Sequence, residues 1–557
     1  MKSAAKICVV GGVAGGAGFA ARMRRLNESA RIIMFEKGEY ISFANCGLPY
    51  HIGDVIRRRS DLIIQTPQSF AARTNVDVRT SSEVTSIDTQ NRIITVTTPT
   101  ETYQESYDFL LLSPGSVPVR PPIPGIDHPA IFVLRTIPDM DLIRRAAQRR
   151  RNGRVVVVGG GFIGLEVAEN LRHRGMAVAI VEQLDQVFTP VDREMASLIH
   201  KQLVLNGVEL HLSDGVKAFA DNGRKDGVTI SLSSGKTLDA DFVVLSIGVR
   251  PDTAFLAGSG IATNERGAII VDEHLRTNIP DIYAVGDAIE VTDFVSGIRT
   301  TMPLAGPAGR QARIAADNIA NIPSTYRHTQ GTAICKIFDI TVAVTGINEK
   351  NAQRLGIDHI KSYTFSNSHA SYYPGAEPMS IKLLFTPDHA PDAGRVIGAQ
   401  IIGNRGVDKR IDVLSEAIRH RLTVNDLADL ELCYAPPFGN AKDAVNIAGC
   451  VAQNILAGLH PIVHAQEIDA RDTKTTLLLD VRTVAEYAQG AIEGSVNIPL
   501  DELRSRIAEL DPQKEVLTYC HVGLRGYLAA RILAENGFRT RNLSGGYTVY
   551  SLVRAAH

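Results

Sequence analysis

The chain has 557 residues, 44% of them apolar and 21% charged, enough to bury several cores, so about three or four domains are expected. Lys and Arg number 59 against 60 Asp and Glu, which leaves no global field for nucleic acid or a membrane surface and confines any polyanion site to a local patch. The six cysteines, at positions 8, 46, 335, 433, 450 and 520, form no CxxC pair and no metal-like spacing, which argues against a disulfide framework and a zinc site; no metal is expected.

The opening MKSAAKICVVGG runs straight into an apolar strand, and no apolar run approaches about eighteen residues, so membrane insertion is not expected and the cytoplasm is favoured. AAKICVVGGVAGGAGFAARMRRL predicts a strand, a glycine turn and a helix, and RIIMFEK a second strand ending in Glu36. Gly11, Gly12 and Gly16 sit in that turn, with Val13 where a third motif glycine would stand. From Arg154, GRVVVVGGGFIGLEVAENLRHRG repeats the plan, and here Gly159, Gly161 and Gly164 complete GxGxxG. That pattern supplies a tight turn, close backbone approach to a pyrophosphate, and close helix-to-strand packing. Its next strand, AVAIVEQ, ends in Glu182, a carboxylate placed for an adenosine ribose; Gln183 and Leu184 follow without an arginine for a 2′-phosphate, which favours NADH.

YDFLLLSPGSVPVRPPIPG and ADFVVLSIGVRPDT read as apolar strands closing in glycine turns, where the chain crosses between nucleotide folds. TNIPDIYAVGDA sets Asp287 after a strand, as a helix cap or an acceptor for a chain of hydroxyls. GTAICKIFDITVAVTG, rich in β-branched residues, predicts further strands.

Between the two glycine motifs, SFANCGLPY places Cys46 in a polar turn leading into a short helix, whose amides are expected to lower the thiol pKa. No cysteine lies four or five residues away, so its oxidised form must be a sulfenic acid or a mixed disulfide with a small thiol. The bland alternative for a lone cysteine is a buried structural thiol. Cys8, Cys335 and Cys450 fit that alternative, and Cys433 has no activating context. Arg22, Arg24 and Arg25, with Arg57, Arg58 and Arg59, are candidate anion sites or solvated faces. After NILAGLHPIVHAQEID the pattern restarts as a compact α/β unit: LLLDVR, a helix, then EVLTYCHVGLRGYLAARILAENGF. There Cys520 ends a strand and CHVGLR turns into a helix, so successive N–H groups converge on the sulfur as an anion nest. Four residues separate Cys520 from Arg525, a spacing for which the unit's resemblance to rhodanese domains implies a loop sized for one added sulfur. Asp480 and Arg482 are expected to brace it, and Gly526 to weaken its hydrogen bonding slightly.

Residues 1 to about 450 resemble the flavoprotein disulfide reductases with two dinucleotide folds, within them the single-cysteine branch of coenzyme A disulfide reductases, NADH oxidases and peroxidases. SFANCGLPY, YYPGA and YAPPFGNAKD look like the coenzyme A disulfide reductase version, and the last hundred residues resemble a rhodanese domain. The resemblance implies an α/β fold: an FAD domain (1–112 and 246–325), an NAD(P)H domain (113–245), an α+β dimerisation domain (326–452), a linker (453–465) and a rhodanese domain (466–557). It implies FAD on Gly11, Gly12, Gly16 and Glu36, with Ser113, Gly115, Asp287, Pro303, Leu304 and Ala305 alongside. NAD(P)H falls to Gly159, Gly161, Gly164, Glu182 and Gly248, and coenzyme A to Arg22, Ser42, Asn45 and Lys442. Tyr373 (or Tyr372) and Tyr434 would approach the disulfide from a homodimer partner. The implied reaction is NAD(P)H-dependent reduction of coenzyme A persulfide, polysulfide or coenzyme A disulfide through Cys46, with Cys520 and Arg525 handling sulfane sulfur. An oxidase or peroxidase cycling through a sulfenic acid, and a sulfane-sulfur carrier or sensor with a regulatory flavin half, remain as alternatives.

Overall fold

The strands expected beside the glycine motifs form, each at the centre of a parallel sheet. A computed structural model of the chain describes residues 5–150, 152–224 and 227–555, and these divide into two compact units: Met1–Leu184 with Gly207–Gly331, and Asp185–Asn206 with Thr332–His557.

In the first unit, a five-stranded parallel sheet runs in the order Ile282–Ala284, Phe109–Leu112, Lys6–Val10, Arg31–Phe35, Asp77–Arg79. Covered on both faces, its inner strands are continuous apolar runs such as ICVV and FLLL. The helices Ala14–Leu26 and Ala305–Ile319 pack together, burying Phe19, Met23, Ala312 and Ala316. A second five-stranded parallel sheet has the order Val208–His211, Ala177–Val181, Arg154–Val158, Phe242–Leu245, Ile131–Phe132. The unit also holds two three-stranded antiparallel sheets, one of Glu83–Asp88, Ile93–Thr97 and Thr102–Ser106, the other of Val216–Asp221, Val228–Leu232 and Thr237–Ala240, and two two-stranded ones.

The second unit holds a five-stranded antiparallel sheet, ordered Ala333–Ile337, Ile340–Gly346, Val396–Gly403, Pro378–Phe385, Ile360–Asn367. It also holds a parallel sheet ordered Ile462–Val463, Thr540–Leu543, Glu515–Tyr519, Thr476–Asp480, Ser495–Asn497. The segment 453–465, read as a linker, therefore contains the end of helix Ala444–Leu456 and an edge strand of this last sheet. Two residues are too few to show a strand period.

The helix Arg193–Leu205 follows a strand of the second sheet in the chain, yet residues 185–206 belong to the second unit. Lys382 explains this. Its side chain, on strand Pro378–Phe385, has no solvent exposure, and its Nζ donates to Asp192 Oδ2 at 2.8 Å, to Glu194, and to Glu349 Oε2 at 2.5 Å. Asp192 caps the Arg193 helix, Glu194 lies in its first turn, and Glu349 opens the helix Glu349–Arg354. Burial opposes a charge here, but Tyr363 and the three carboxylates hold the ammonium well above its ordinary pKa. Burial likewise raises Asp192 and Glu349, and Lys382 more than reverses it, leaving both below the carboxylate range. The cation of this carboxylate cluster is thus a lysine. Among the described residues no helix is long and apolar enough to cross a membrane.

Removing one member of a buried ionic group strands the others, at about 3–5 kcal/mol. Lys382→Met is expected to cost that much in a denaturant titration of the full chain, with Lys361→Met, a more exposed neighbour, costing far less. The pH response has a definite sign. Burial depresses His200 and His460 to about 4 and His464 to about 3, so the unfolded chain takes up their protons first, near its ordinary value of about 6.5. Stability of the second unit is expected to fall as pH drops below about 6.5, and further once Asp192 and Glu349 begin to protonate; thermal midpoints between pH 8 and 4 measure it.

Candidate active site

The two glycine motifs fold alike. Gly11 and Gly159 take φ of +94° and +103°, a region open to glycine. A Cβ on Gly16 would stand 1.8 Å from the Gly11 carbonyl oxygen, and one on Gly164 2.0 Å from that of Gly159, so both positions are fixed by helix-to-strand contact. Gly161 differs: a Cβ there meets nothing within 4 Å. The fold does not need that glycine, and the open space is what a dinucleotide pyrophosphate would fill. Val13 occupies the matching place in the first motif, as N-cap of helix Ala14–Leu26.

The acidic strand ends also match. Glu36 accepts the N–H groups of Gly12 and Gly38, both at 2.8 Å, while Glu182 accepts those of Gly160 at 2.8 Å and Leu184 at 2.9 Å. Ser113 donates its N–H to the Val10 carbonyl at 2.8 Å and leads to Gly115 at φ +74°. Asp287, in the turn Gly286–Ala288, accepts Ser116 Oγ at 3.0 Å and the Arg135 guanidinium at 3.2 Å. Pro303 and Leu304 precede helix Ala305–Ile319, Leu304 as its N-cap. Gly248 takes φ +113° with open space around its Cα. Both cradles suit dinucleotides.

Cys46 is exposed, in the 3-10 turn Asn45–Gly47 that runs into helix Leu48–Ile52. Beside it Ser42 holds φ +44°, and Asn45 gives its backbone N–H to the Phe43 carbonyl at 3.1 Å. The thiol pKa is not lowered as expected. Partial desolvation, then the charge of Glu166, pushes it up, outweighing Arg135 and a backbone amide; a helix of five residues has too little dipole to reverse this. Glu166 itself, on helix Phe162–His173, is raised to about 7 by burial, with Glu169 adding and the Tyr50 hydroxyl, donating at 3.2 Å, opposing. Sequence reasoning missed Tyr50, Arg135 and Glu166. Only the helical spacing from Cys46 to Tyr50 could have pointed to one of them.

The anion candidates sort by their partners. Arg22 is ion-paired with Asp317 at 2.7 Å, and Arg24 is buried against the carbonyls of Thr74, Asn75, Asn27 and Glu28. Arg58 pairs with Asp61 and Arg59 with Asp141. Arg25 and Arg57 are exposed, as is Lys442. Of the tyrosines, Tyr434 meets Tyr372, hydroxyl to hydroxyl at 2.9 Å, whereas Tyr373 turns its ring edge-on to His369 at 5.7 Å.

In the last sheet, Cys520 is buried at the end of strand Glu515–Tyr519, and Gly523, at φ +111°, donates its N–H to Cys520 Sγ at 3.1 Å. Arg525 forms a two-pronged pair with Glu486, at 2.7 and 2.6 Å, which holds that carboxyl at about 2. The Cys520 and His521 carbonyls accept the N–H groups of Tyr547 and Thr548. Asp480 and Arg482 form a buried pair at 2.6 Å, and Arg482 lies 4.3 Å over the ring of Tyr547, the residue whose backbone N–H meets the Cys520 carbonyl. Gly526 has its own reason: a Cβ there would stand 2.2 Å from Asn542 Oδ1.

The contrast between two glycines is testable. Gly161→Val should leave the unfolding midpoint unchanged and weaken nicotinamide dinucleotide binding by about tenfold or more, each tenfold being about 1.4 kcal/mol. Gly164→Ala should instead lower the midpoint; a binding titration and a thermal melt separate them.

Residues 5–312 match the family described as pyridine nucleotide-disulphide oxidoreductase, 332–445 its dimerisation domain, and 464–552 the rhodanese-like domain. The coenzyme A disulfide reductase of Staphylococcus haemolyticus is 35% identical over 453 residues, 81% of this chain and all of that protein. One from Staphylococcus epidermidis is 34% identical, covering 80% and 100%. Among solved structures, reduced Bacillus anthracis CoADR-RHD aligns with a TM-score of 0.96 at 48% identity, over 99% of this chain and 98% of that one. A NAD-dependent persulfide reductase from A. fulgidus aligns at 0.91 and 34%, over 98% and 100%. With its paired glycine cradles, solitary Cys46 and C-terminal cysteine loop, the chain belongs to the pyridine nucleotide-disulphide oxidoreductase family and carries that family's dimerisation domain followed by a rhodanese-like domain.

Proposed function

We propose that the chain is an FAD-dependent NAD(P)H oxidoreductase, working as a homodimer, that reduces the S–S bonds of coenzyme A persulfide, polysulfide or coenzyme A disulfide. The observation that carries this is an exposed Cys46 with no cysteine near it in the chain, joined to a buried Cys520 whose sulfur receives an amide N–H. The relatives support it: one is named for coenzyme A disulfide and one for persulfide, both sulfur–sulfur substrates.

Bound in the first cradle, FAD supplies two-electron transfer from a nicotinamide in the second to a sulfur–sulfur bond. The residues do the rest. The Cys46 thiolate attacks one sulfur of the substrate, forming a mixed disulfide and releasing a thiolate or hydrosulfide. Tyr434 and Tyr372 offer two phenolic O–H groups in one hydrogen-bonded pair, suited to protonate or stabilise a departing sulfur anion. For coenzyme A, Ser42 and Asn45 belong to the loop that carries the thiol, while Arg22 joins only by releasing Asp317. The Cys520 thiolate attacks the outer sulfur of a persulfide or polysulfide, breaking that S–S bond, releasing the rest of the donor as a thiolate or shorter polysulfide and leaving a Cys520 persulfide, toward which the Gly523 N–H already points.

Anaerobic NADH consumption with polysulfide, coenzyme A persulfide, coenzyme A disulfide and peroxide tests the assignment. Cys46→Ser is expected to cost about 10³-fold or more with every sulfur substrate, and Cys520→Ser to slow sulfane substrates while sparing coenzyme A disulfide. Turnover with peroxide alone, indifferent to Cys520→Ser, would replace this reading with a sulfenic-acid oxidase or peroxidase.

A further inference from the structure

Cys46 lies in the turn Asn45–Gly47, which continues directly into the helix Leu48–Ile52 that carries Tyr50. Tyr50 reaches from this helix to helix Phe162–His173, where its hydroxyl donates to Glu166 Oε1 at 3.2 Å. The two helices meet closely: at Gly53 a Cβ would stand 2.0 Å from Asn170 Oδ1, one turn beyond Glu166. Glu166 makes no ion pair with any described residue. Of the charges that act on Cys46, Arg135 and Asp287 are paired with each other at 3.2 Å and largely cancel. Glu166 is the charge left over.

We propose that Glu166, held by Tyr50, is a positioning residue that sets the ionisation of Cys46: neutral, it lets the thiolate form; ionised, it keeps the thiol protonated. This rests on the reading of Cys46 as the redox thiol. The groups facing Glu166 are Tyr50 from the cysteine helix and Glu169 from its own helix; those facing Cys46 are Glu166, Arg135 and Asp287. With burial first and Glu169 second holding the Glu166 carboxyl at about 7, the switch falls within the neutral range. Two groups that each oppose the other's charge titrate as a coupled pair. Because Glu166 rides on the helix that begins after Gly161, one helix serves both the dinucleotide cradle and the thiol.

The test follows Cys46 alkylation by iodoacetamide from pH 5.5 to 9, by peptide mass spectrometry. It uses the full-length reduced protein in a Cys433→Ser background, since Cys433 is the other exposed thiol. Glu166→Gln is nearly isosteric, and its thermal midpoint reports whether it folds. The expected ratio of its alkylation rate to that of the parent is near one at pH 5.5, where both carry a neutral group at 166. It should climb through pH 7 to about three- to tenfold by pH 8.5, one pKa unit being tenfold in thiolate. Tyr50→Phe removes the bond that lowers the Glu166 carboxyl, so the parent-like inflection should move to higher pH. A ratio flat across the range, or an unmoved inflection in Tyr50→Phe, overturns the proposal. Failure of the redox reading is separate: Cys46→Ser would retain turnover, whatever the alkylation profile shows.

Discussion

A single buried ammonium, Lys382, organises the second unit. Three carboxylates withdrawn from water would repel one another strongly, and Lys382 at their centre turns that liability into an anchor for two helix N-termini. Asp192 also serves the neighbouring helix: its carboxylate accepts the backbone N–H groups of Glu349 and Lys350, satisfying donors that the start of helix Glu349–Arg354 leaves open. Tyr363 extends the cluster. Its ring lies 5.4 Å from the Lys382 Nζ, its hydroxyl donates to Glu194, and its backbone N–H reaches Ser544 Oγ at 3.4 Å. Ser544 begins the turn whose next residues hold the Cys520 loop, and Ser197 Oγ donates to the Leu552 carbonyl beside it. The rhodanese-like domain is therefore seated on the dimerisation sheet and the Arg193 helix by polar contacts with fixed geometry.

The first unit depends on backbone, not on charge. Gly16 and Gly164 are obligatory because a methyl group would overlap a carbonyl, whereas the middle position is free of protein neighbours in the second motif and filled by Val13 in the first. Glycine at 164 answers to the fold, whereas no protein neighbour calls for glycine at 161. That distinction explains why the looser first motif builds the same strand, turn and helix.

These constraints also decide what the sequence reveals. Both sheets, both cradles and the cysteine loop were legible because local pattern sets them: apolar runs, glycines at fixed spacing and acidic strand ends. Proximity across the chain was not. Nothing near Lys382 in sequence announces Asp192, Glu194 or Glu349. The same gap hid Glu166 from Cys46 and gave the thiol the wrong sign. It also hid the meeting of the Tyr372 and Tyr434 hydroxyls, 62 residues apart in the chain. Gly526 looked like a weakened loop residue, and only the approach of Asn542 shows why no side chain fits there.

The two sulfur centres divide one chemical problem. Cys520 is buried, receives an amide N–H and sits on a loop whose arginine is already committed to Glu486, so its surroundings are finished before substrate arrives. Under the proposed function, a setting fixed in advance with the Gly523 amide on the sulfur suits an anion that is stored, as a persulfide is. Cys46 is exposed, and its charged neighbours largely cancel apart from one carboxyl close to neutrality. Its surroundings are left adjustable, which suits a thiol that must alternate between attacking as an anion and resting in a bond. A chain that, as proposed, stores sulfur at one cysteine and cleaves it at another calls for both kinds of site, and the surroundings differ accordingly: a backbone amide donates to Cys520, while side-chain charges act on Cys46.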